Sequence, residues 1–165
     1  MNFFKKLSLS FLFFIAFSAH AGLDNDLYKI KLPNPDNEQV SLAQYKDKVI
    51  LLNFWATWCP PCIKEMPSMQ RLRDHFEGQP FEIIAINTGD DPTSVSSFLF
   101  ELETELTFPI LLDEQGQSYQ QFGIRGLPMT LIFDRNGEMV EKVLGGREWD
   151  SAESIKAIQT VIEYN

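Results

Sequence analysis

Val49-Ile50-Leu51-Leu52-Asn53-Phe54-Trp55-Ala56-Thr57-Trp58-Cys59-Pro60-Pro61-Cys62 is the stretch that decides the fold. Its first eight residues are apolar apart from Asn53 and rich in β-branched and aromatic side chains, which predicts a strand buried on both faces. Beyond the second cysteine, apolar residues recur at spacings of three and four, as on one face of a helix: Met66, Met69, Leu72 and Phe76. Pro60 suits the first helical position, where a missing N–H costs nothing. The two cysteines are therefore predicted to lie where a central strand turns into a helix.

A cysteine at the start of a helix is expected to be reactive. Unpaired backbone N–H groups and the positive end of the helix dipole stabilise an anion there. A thiol in that position loses its proton more readily than a free cysteine, whose pKa is about 8.5. The thiolate is the form that attacks disulfides. Cys59, at the mouth of the turn, is the expected attacking thiol, and Cys62, one turn into the helix and more shielded, is the expected resolving thiol.

The first 21 residues have the pattern of a secretory signal peptide. Two lysines, Lys5 and Lys6, precede an apolar segment over residues 7–17, and Ala19-His20-Ala21 is a small-x-small cleavage site. The apolar segment is short for a membrane span, which needs about 20 residues. Cleavage is therefore favoured over an uncleaved membrane anchor. The expected organisation is a signal peptide over residues 1–21 and one domain over residues 22–165.

Composition narrows the class of protein further. With 165 residues and 44 % hydrophobic residues, one domain with an ordinary core is expected. A net charge of −9 without a basic cluster is a poor match for nucleic acid or an anionic membrane surface. Only two cysteines are present, and a bridge across a two-residue gap closes almost no loop and adds little stability. Redox chemistry is thus favoured over a structural disulfide.

The rest of the chain alternates strand and helix patterns. Strands are expected over residues 27–32, 40–41, 49–56, 81–87, 108–113 at a sheet edge, 126–133 and 138–144. A helical turn capped by Ser41 is expected, then a helix capped by Thr93 or Ser94, a short helix ending at Gly123, and a closing helix over residues 149–162 capped by Asp150 or Ser151. Residues 134–137 are typical of a hairpin turn.

Two polar residues near the cysteines allow two interpretations each. Asn53 lies in the apolar strand and needs a hydrogen-bond partner; it either sits beneath the cysteines or pins a loop. Glu65 lies three residues after Cys62, so the two side chains are neighbours on one helical turn. Its carboxylate either passes protons to and from the buried thiol or merely favours the helix dipole. Pro67, inside the same helix, is expected to kink it.

The order of these elements and the cysteine motif resemble the thioredoxin fold, and are most similar to the TlpA-like, ResA-like and CcmG-like (DsbE-like) branch of exported thiol-disulfide oxidoreductases. Residues 54–62 match that branch throughout. Glu65 and Pro67 stand where the branch carries a glutamate and a helix proline, and Asn53 stands where it commonly has asparagine. The resemblance implies an α/β, three-layer fold with a central mixed sheet flanked by helices, an N-terminal β-hairpin and a helix-strand insertion at residues 93–113.

The same resemblance implies where a substrate would bind. It places a cis bond between Leu127 and Pro128 beside the sulfurs, with the Leu127 backbone free to pair with an extended substrate segment. Gly126 and Met129 flank that surface, and Trp58, Pro60 and Pro61 support the cysteine pair. Gly145 and Gly146 are expected to keep the opposing loop thin enough for a partner to approach.

The expected function is protein-disulfide reduction in the periplasm. Oxidants in this superfamily often have a histidine between the cysteines, whereas Pro60 and Pro61 stabilise a thiolate less, so a comparatively reducing pair is expected. The resemblance implies a DsbD-like membrane electron donor. Clients that fit include an apocytochrome c, another exported thioredoxin-like protein or damaged substrates, and the protein is expected to be a monomer without cofactor or bound metal.

The alternative is a copper carrier, because soft thiolates bind copper(I). His75 is the only histidine after the signal peptide, 13 residues past Cys62 and too far along the helix to share a site with the pair.

Overall fold

A computed structural model describes residues 26–164. In chain order, these residues form helix α1 (Asp26–Lys29), strands β1 (Lys31–Pro33) and β2 (Gln39–Ser41), a 3₁₀ turn (Leu42–Tyr45), β3 (Val49–Trp55), α2 (Pro60–His75), β4 (Phe81–Thr88), α3 (Pro92–Glu101), β5 (Ile110–Asp113), α4 (Gln117–Gln121), β6 (Met129–Phe133), β7 (Met139–Leu144) and α5 (Ala152–Glu163).

The centre is a mixed five-stranded sheet in the order β5-β4-β3-β6-β7. Strands β3, β4 and β5 run parallel, whereas β6 is antiparallel to β3 and β7 is antiparallel to β6. A separate two-stranded sheet pairs β1 with β2. The α/β architecture, the leading hairpin and the inserted helix-strand pair are confirmed, as is the edge position of β5.

Strand β3 explains the placement of helices on both faces of the sheet. All seven of its side chains are buried, which an exposed face would not allow. Leu51 and Trp55 pack into a cluster with residues of α2, α3 and α5. Ile50 and Phe54 face a second cluster formed with residues of α1, the 3₁₀ turn and the segment after α4. The helical face of α2 predicted from sequence is buried in the first cluster.

The predicted strand over residues 27–32 is wrong at its start. Residues 26–29 form a helical turn, and the strand begins only at Lys31, opposite Ser41. Leu27 and Ile30 are both buried in the second cluster. Residues three apart share one side of a helical turn but point to opposite faces of a strand, so their common burial fits the helical turn.

Two helix starts also differ from expectation. Helix α3 is capped by Asp91, whose carboxylate accepts from the backbone N–H groups of Thr93 and Ser94 at 2.9 and 3.1 Å. Helix α5 is capped by Ser151, one of the two expected cap residues, and begins at Ala152. The expected first helical residue, Trp149, lies in the loop before it.

The predicted signal peptide lies outside the described residues, and the boundary between residues 21 and 22 stays a prediction. Within residues 26–164, every helix falls short of the length and apolar character needed to cross a bilayer.

Candidate redox site

The cysteine pair lies at the junction between β3 and α2, as predicted. The backbone N–H of Cys59 donates to the Ala56 carbonyl at 3.2 Å, which closes the turn after the strand. Cys59 is the N-cap residue of α2, and its carbonyl accepts the first helical hydrogen bond from Ile63 at 3.2 Å. The Cys59 and Cys62 sulfurs form a disulfide, with the Cα atoms 5.3 Å apart.

The first turn of α2 is poor in hydrogen-bond donors. Pro60 and Pro61 occupy its first two positions and carry no N–H. Cys62 is therefore the first residue of the helix with a backbone N–H. Within the described part of the chain, the Cys59 side chain makes no capping hydrogen bond. The helix dipole thus acts on the sulfur with few direct donors beside it.

Both cysteines are more shielded than the sequence suggested. Cys59 is 4 % exposed and Cys62 is 1 % exposed, so the order is as expected but the attacking thiol does not stand open in the disulfide form. The accessible surface at the junction comes from Trp58, which is 68 % exposed, and from the two prolines.

Leu127 and Pro128 form a cis peptide bond, as the resemblance implied. Register places it at the same end of the sheet as the cysteines, because Met129 pairs with Phe54 near the end of β3. The Pro128 carbonyl accepts from the N–H of Gly145 at 2.9 Å. In the region from 26 to 164, the Leu127 backbone makes no hydrogen bond, so its N–H and carbonyl are available to a strand-like partner.

The residues expected to flank this segment divide into two groups. Gly126 is half-buried, and a Cβ there would lie 3.4 Å from Cδ1 of Leu144. Leu144 is 68 % exposed and supplies an apolar surface that sequence reasoning missed. The Met129 side chain is 4 % exposed and packs in the second cluster. Met129 is also paired on both sides, with Phe54 and with Leu144, so it does not form part of the accessible surface.

Gly146 lies in close contact with the start of α2. A Cβ there would lie 3.3 Å from the Pro61 carbonyl oxygen and 3.9 Å from Oε2 of Glu65. The absence of a side chain lets the loop after β7 approach the start of α2. That the loop is thin enough for a partner to approach stays a prediction.

Asn53 links three elements beneath the redox pair. Its side-chain Nδ2 donates to Oε1 of Glu65 and to Oγ1 of Thr130, each at 2.9 Å. The three residues lie on β3, α2 and β6, so the polar residue in the apolar strand is satisfied by a helix and a neighbouring strand. It pins the glutamate and not a loop.

Glu65 is 3 % exposed and receives two more hydrogen bonds. Its Oε2 accepts from the backbone N–H of Arg147 at 3.1 Å and from the indole Nε1–H of Trp149 at 3.0 Å. Burial raises the pKa of the Glu65 carboxyl above its ordinary value, against the opposing effect of the bonds from Arg147, Trp149 and Asn53. Glu65 lies beyond the first turn of α2, which carries no acidic residue, so interaction with the helix dipole does not account for its position.

Trp149, Arg147 and Thr130 are the site residues that sequence reasoning missed. Each is distant from Glu65 along the chain, and none belongs to a motif. A buried tryptophan needs a partner for its indole N–H, but that rule does not identify the acceptor.

A solvent-open cleft of about 290 Å³ reaches Glu65 from the surface. It is lined by Pro61, Lys64, Glu65, Gly146, Arg147 and Glu148. His75, by contrast, is the exposed last residue of α2, at the opposite end of the helix from the cysteines.

These features define a thioredoxin-fold protein with a Cys-x-x-Cys redox centre at a strand–helix junction and a cis-proline at the same end of the sheet. Residues 23–142 match the AhpC/TSA family, and the chain belongs to that family.

The curated relatives are named as thiol-disulfide oxidoreductases. Thiol-disulfide oxidoreductase ResA of Geobacillus thermodenitrificans is 38 % identical over 115 residues, which is 70 % of this chain and 64 % of that protein. The protein of the same name from Bacillus subtilis is 33 % identical over 121 residues, 73 % of this chain and 66 % of that one. The chain thus spans slightly less than two thirds of the length of these relatives.

Solved structures agree on the fold. A putative thiol:disulfide interchange protein DsbE from Chlorobium tepidum superposes with a TM-score of 0.73 at 26 % identity, covering 81 % of this chain and 92 % of that one. StoA from Bacillus subtilis gives a TM-score of 0.65 at 26 % identity, with 79 % and 95 % covered. The resemblance to thioredoxin-fold proteins of the ResA-like and DsbE-like branch is confirmed.

Proposed function

We propose that this chain is an exported thiol-disulfide oxidoreductase that reduces disulfides in client proteins through Cys59 and Cys62. The observation that carries the proposal is the Cys59–Cys62 disulfide at the N-terminus of α2, one helical turn before a buried carboxyl. The names of the relatives support the reaction class. The active form is the dithiol, and the disulfide is its oxidised product.

The reaction proceeds in two exchanges. The Cys59 thiolate attacks one sulfur of a client disulfide, so that a Cys59–client bond forms, the client disulfide breaks, and the released client thiolate takes up a proton. The Cys62 thiolate then attacks Sγ of Cys59. The intramolecular disulfide forms and the second client thiolate leaves, also to be protonated. Two electrons pass from the dithiol to the client.

Glu65 is the group best placed to take the proton of Cys62 before the second exchange. The two residues are three positions apart on α2 and both are buried. Burial raises the pKa of Glu65, which brings a carboxyl closer to the neutral range where a general base is most effective.

The accessible end of the sheet suits an extended client segment. The unpaired Leu127 backbone beside Pro128 offers a strand edge, with Gly126 leaving room for the approaching chain. Trp58 and Leu144 are both 68 % exposed and offer apolar contacts at the rim. The apolar rim is consistent with protein clients more than with small polar disulfides.

The direction of electron flow follows from the first turn of α2. A strong oxidant needs a strongly stabilised thiolate. Pro60 and Pro61 lack N–H groups, so Cys59 receives little direct stabilisation. We therefore assign the protein to the reducing side, with electrons supplied by a DsbD-like membrane donor in the periplasm. Clients that fit this reaction are an apocytochrome c, another exported thioredoxin-like protein or damaged substrates, and the proposal is of a monomer without cofactor or metal.

Measuring the reduction potential of the Cys59/Cys62 couple tests the direction. A value well below that of a strong oxidant, about −120 mV, together with catalysis of insulin reduction, is expected. A value near −120 mV would reverse the assigned direction. A Cys62→Ala variant is expected to retain clients as mixed disulfides on Cys59, because the resolving thiol is gone.

Copper titration of the reduced protein separates the competing carrier function. Tight stoichiometric binding of copper(I), with no insulin reduction by the same preparation, would favour the carrier. A Cys59→Ser/Cys62→Ser variant is the control for binding elsewhere.

A further inference from the structure

We propose that Trp149 is a positioning residue for the redox reaction: its indole N–H holds Glu65 in place and sets the pH at which that carboxylate can accept a proton from Cys62. The inference rests on the proposed function and extends it to a residue outside the cysteine motif. Trp149 touches neither the client nor the sulfurs in this proposal. It acts through Glu65.

The loop after β7 supplies two of the three donors that reach the carboxyl. The indole Nε1 of Trp149 lies 3.0 Å from Oε2 of Glu65, and the backbone N–H of Arg147 donates to the same oxygen at 3.1 Å. Asn53 donates to Oε1 at 2.9 Å. Both oxygens are therefore held, and a single side chain, Trp149, supplies one of the two bonds to Oε2.

Trp149 is itself tightly fixed to the helical turn that carries Glu65. It is fully buried, and its backbone N–H donates to Oγ of Ser68 at 3.0 Å. The Ser68 hydroxyl donates in turn to the Glu65 carbonyl at 2.7 Å. The Arg147 guanidinium lies over the indole ring, 5.3 Å from its centroid. These contacts aim the indole N–H at the carboxylate with little freedom to turn elsewhere.

The charged groups around Glu65 do not replace this donor. Lys64, Arg147 and Glu148 line the cleft that leads to the carboxyl, and Arg147 is paired with Glu141 at 3.3 Å. Asn53 and Thr130, which face it from the sheet, are neutral. Over residues 26–164, no cation forms a salt bridge with Glu65. Hydrogen-bond donors are therefore the groups that stabilise its charged form.

The consequence for proton transfer has a definite sign. An N–H donor favours the carboxylate over the carboxylic acid. Without the indole N–H, fewer hydrogen bonds oppose the effect of burial, so the pKa of Glu65 rises further and the carboxyl keeps its proton to higher pH. While it is protonated, Glu65 cannot accept the proton of Cys62, and resolution of the mixed disulfide slows. The cleft gives the proton a route from Glu65 to solvent.

The test compares Trp149→Phe, which keeps an aromatic ring but lacks the N–H, with the parent protein. A client peptide is placed on Cys59 as a mixed disulfide, and its release by Cys62 is followed as a function of pH. We expect the acid limb of the profile to move up by about half to one pH unit, which slows release about threefold to tenfold on that limb. The two rates are expected to converge at high pH.

Two matched variants isolate the indole N–H. Arg147→Ala removes the guanidinium and the Glu141 ion pair but keeps the backbone donor, so it is expected to move the profile much less than Trp149→Phe. In a Glu65→Gln background, Trp149→Phe is expected to cause no further shift. An equal shift in that background, or identical profiles for folded Trp149→Phe and the parent, would overturn the proposal.

A measurement on the unmutated indole keeps the inference testable if Trp149→Phe does not fold. One tryptophan indole N–H resonance of the reduced protein is expected to titrate with the midpoint of the Glu65 carboxyl band seen by infrared spectroscopy, and to stop titrating in Glu65→Gln. If no indole follows Glu65, the proposal is wrong. If the indole follows Glu65 but no client disulfide is reduced, the proposed function fails while the positioning of Glu65 stands.

Discussion

Helices α2 and α3 each follow the carboxyl end of one of two neighbouring parallel strands, β3 and β4, yet their first turns differ in their hydrogen bonds. Both follow the end of a strand and both carry proline at the first position. In α3, the Asp91 carboxylate caps the helix by accepting from the N–H groups of Thr93 and Ser94. The Ser94 hydroxyl also donates to Asp91 at 2.6 Å. The hydrogen bond from Ser94 is the largest cause of a lowered Asp91 pKa.

Helix α2 leaves its first turn without a polar cap. The cap residue is Cys59, which makes no side-chain capping bond in the described structure, and a second proline, Pro61, follows the first. The positive end of α3 is thus matched by a carboxylate that is charged at neutral pH. The positive end of α2 faces a sulfur whose charge depends on its redox state. The capped start of α3 therefore contributes to stability, whereas the start of α2 holds the reactive sulfur, although each helix follows a strand in the same way.

Replacing the sulfur at the α2 cap is expected to have the largest effect. Cys59→Ser supplies a hydroxyl that can cap the helix as Ser151 caps α5, but an unactivated hydroxyl is a poor nucleophile at neutral pH. Insulin reduction is expected to fall at least about 1000-fold. Circular dichroism should show an intact fold, and substantial residual activity in the folded variant would contradict the assignment of Cys59 as the attacking thiol.

Restoring a donor at the α2 start should produce the next largest effect. Pro61→Ala returns an N–H at the second helical position, from which a cap residue normally accepts a bond. The Cys59 thiolate gains a donor, so its pKa is expected to fall by about half to one unit. The reduction potential should rise by about 10–30 mV. Thiol alkylation against pH and equilibration with glutathione measure the two quantities.

Pro60→Ala is the matched control for that prediction, because the first helical N–H is not the usual capping donor. It should shift both quantities less than Pro61→Ala does. Equal shifts in the two variants would mean that backbone rigidity, and not the missing donor, controls the sulfur.

Removing the cap of α3 is expected to affect stability and leave redox chemistry unchanged. Asp91→Ala should lower the melting temperature by about 2–4 °C near neutral pH. Because the pKa of Asp91 is lowered in the folded state, its contribution is present above the unfolded pKa of about 3.9 and is lost as pH falls. The difference between variant and parent should therefore shrink in acid. A changed rate of Cys59 alkylation in Asp91→Ala would contradict the view that the cap of α3 has no effect on the redox cysteine at the start of α2.

The contribution of Glu65 to stability should depend on pH in the opposite sense to that of Asp91, and this effect is expected to be the smallest. Its pKa is raised by burial, so above the unfolded value of about 4.3 the unfolded chain ionises before the folded protein does. As pH rises through that window, the parent is expected to lose stability relative to Glu65→Gln. Urea unfolding at several pH values measures this, and a difference that is constant with pH would contradict a raised pKa.

Several features follow from short-range patterns and were predicted correctly. The apolar run of β3, the spacing of buried residues on α2 and the turn before β7 each depend on neighbours within a few positions. The cap of α3 was placed two or three residues too late, at Thr93 or Ser94, because Asp91, Thr93 and Ser94 are all good capping residues. Only the backbone bonds distinguish them.

The sequence alone determined that two cysteines stand at a strand–helix junction, since that conclusion needs only local periodicity and the placement of proline. It also determined that Glu65 follows Cys62 on the same turn. The tertiary structure decided that Glu65 is buried, that Asn53 and Trp149 are its donors, and that Cys59 is shielded in the disulfide form. The hydrogen bonds of Glu65 join it to residues 12 and 84 positions away in the chain. Contacts between such distant residues are set by the packing of the whole sheet and not by any local pattern.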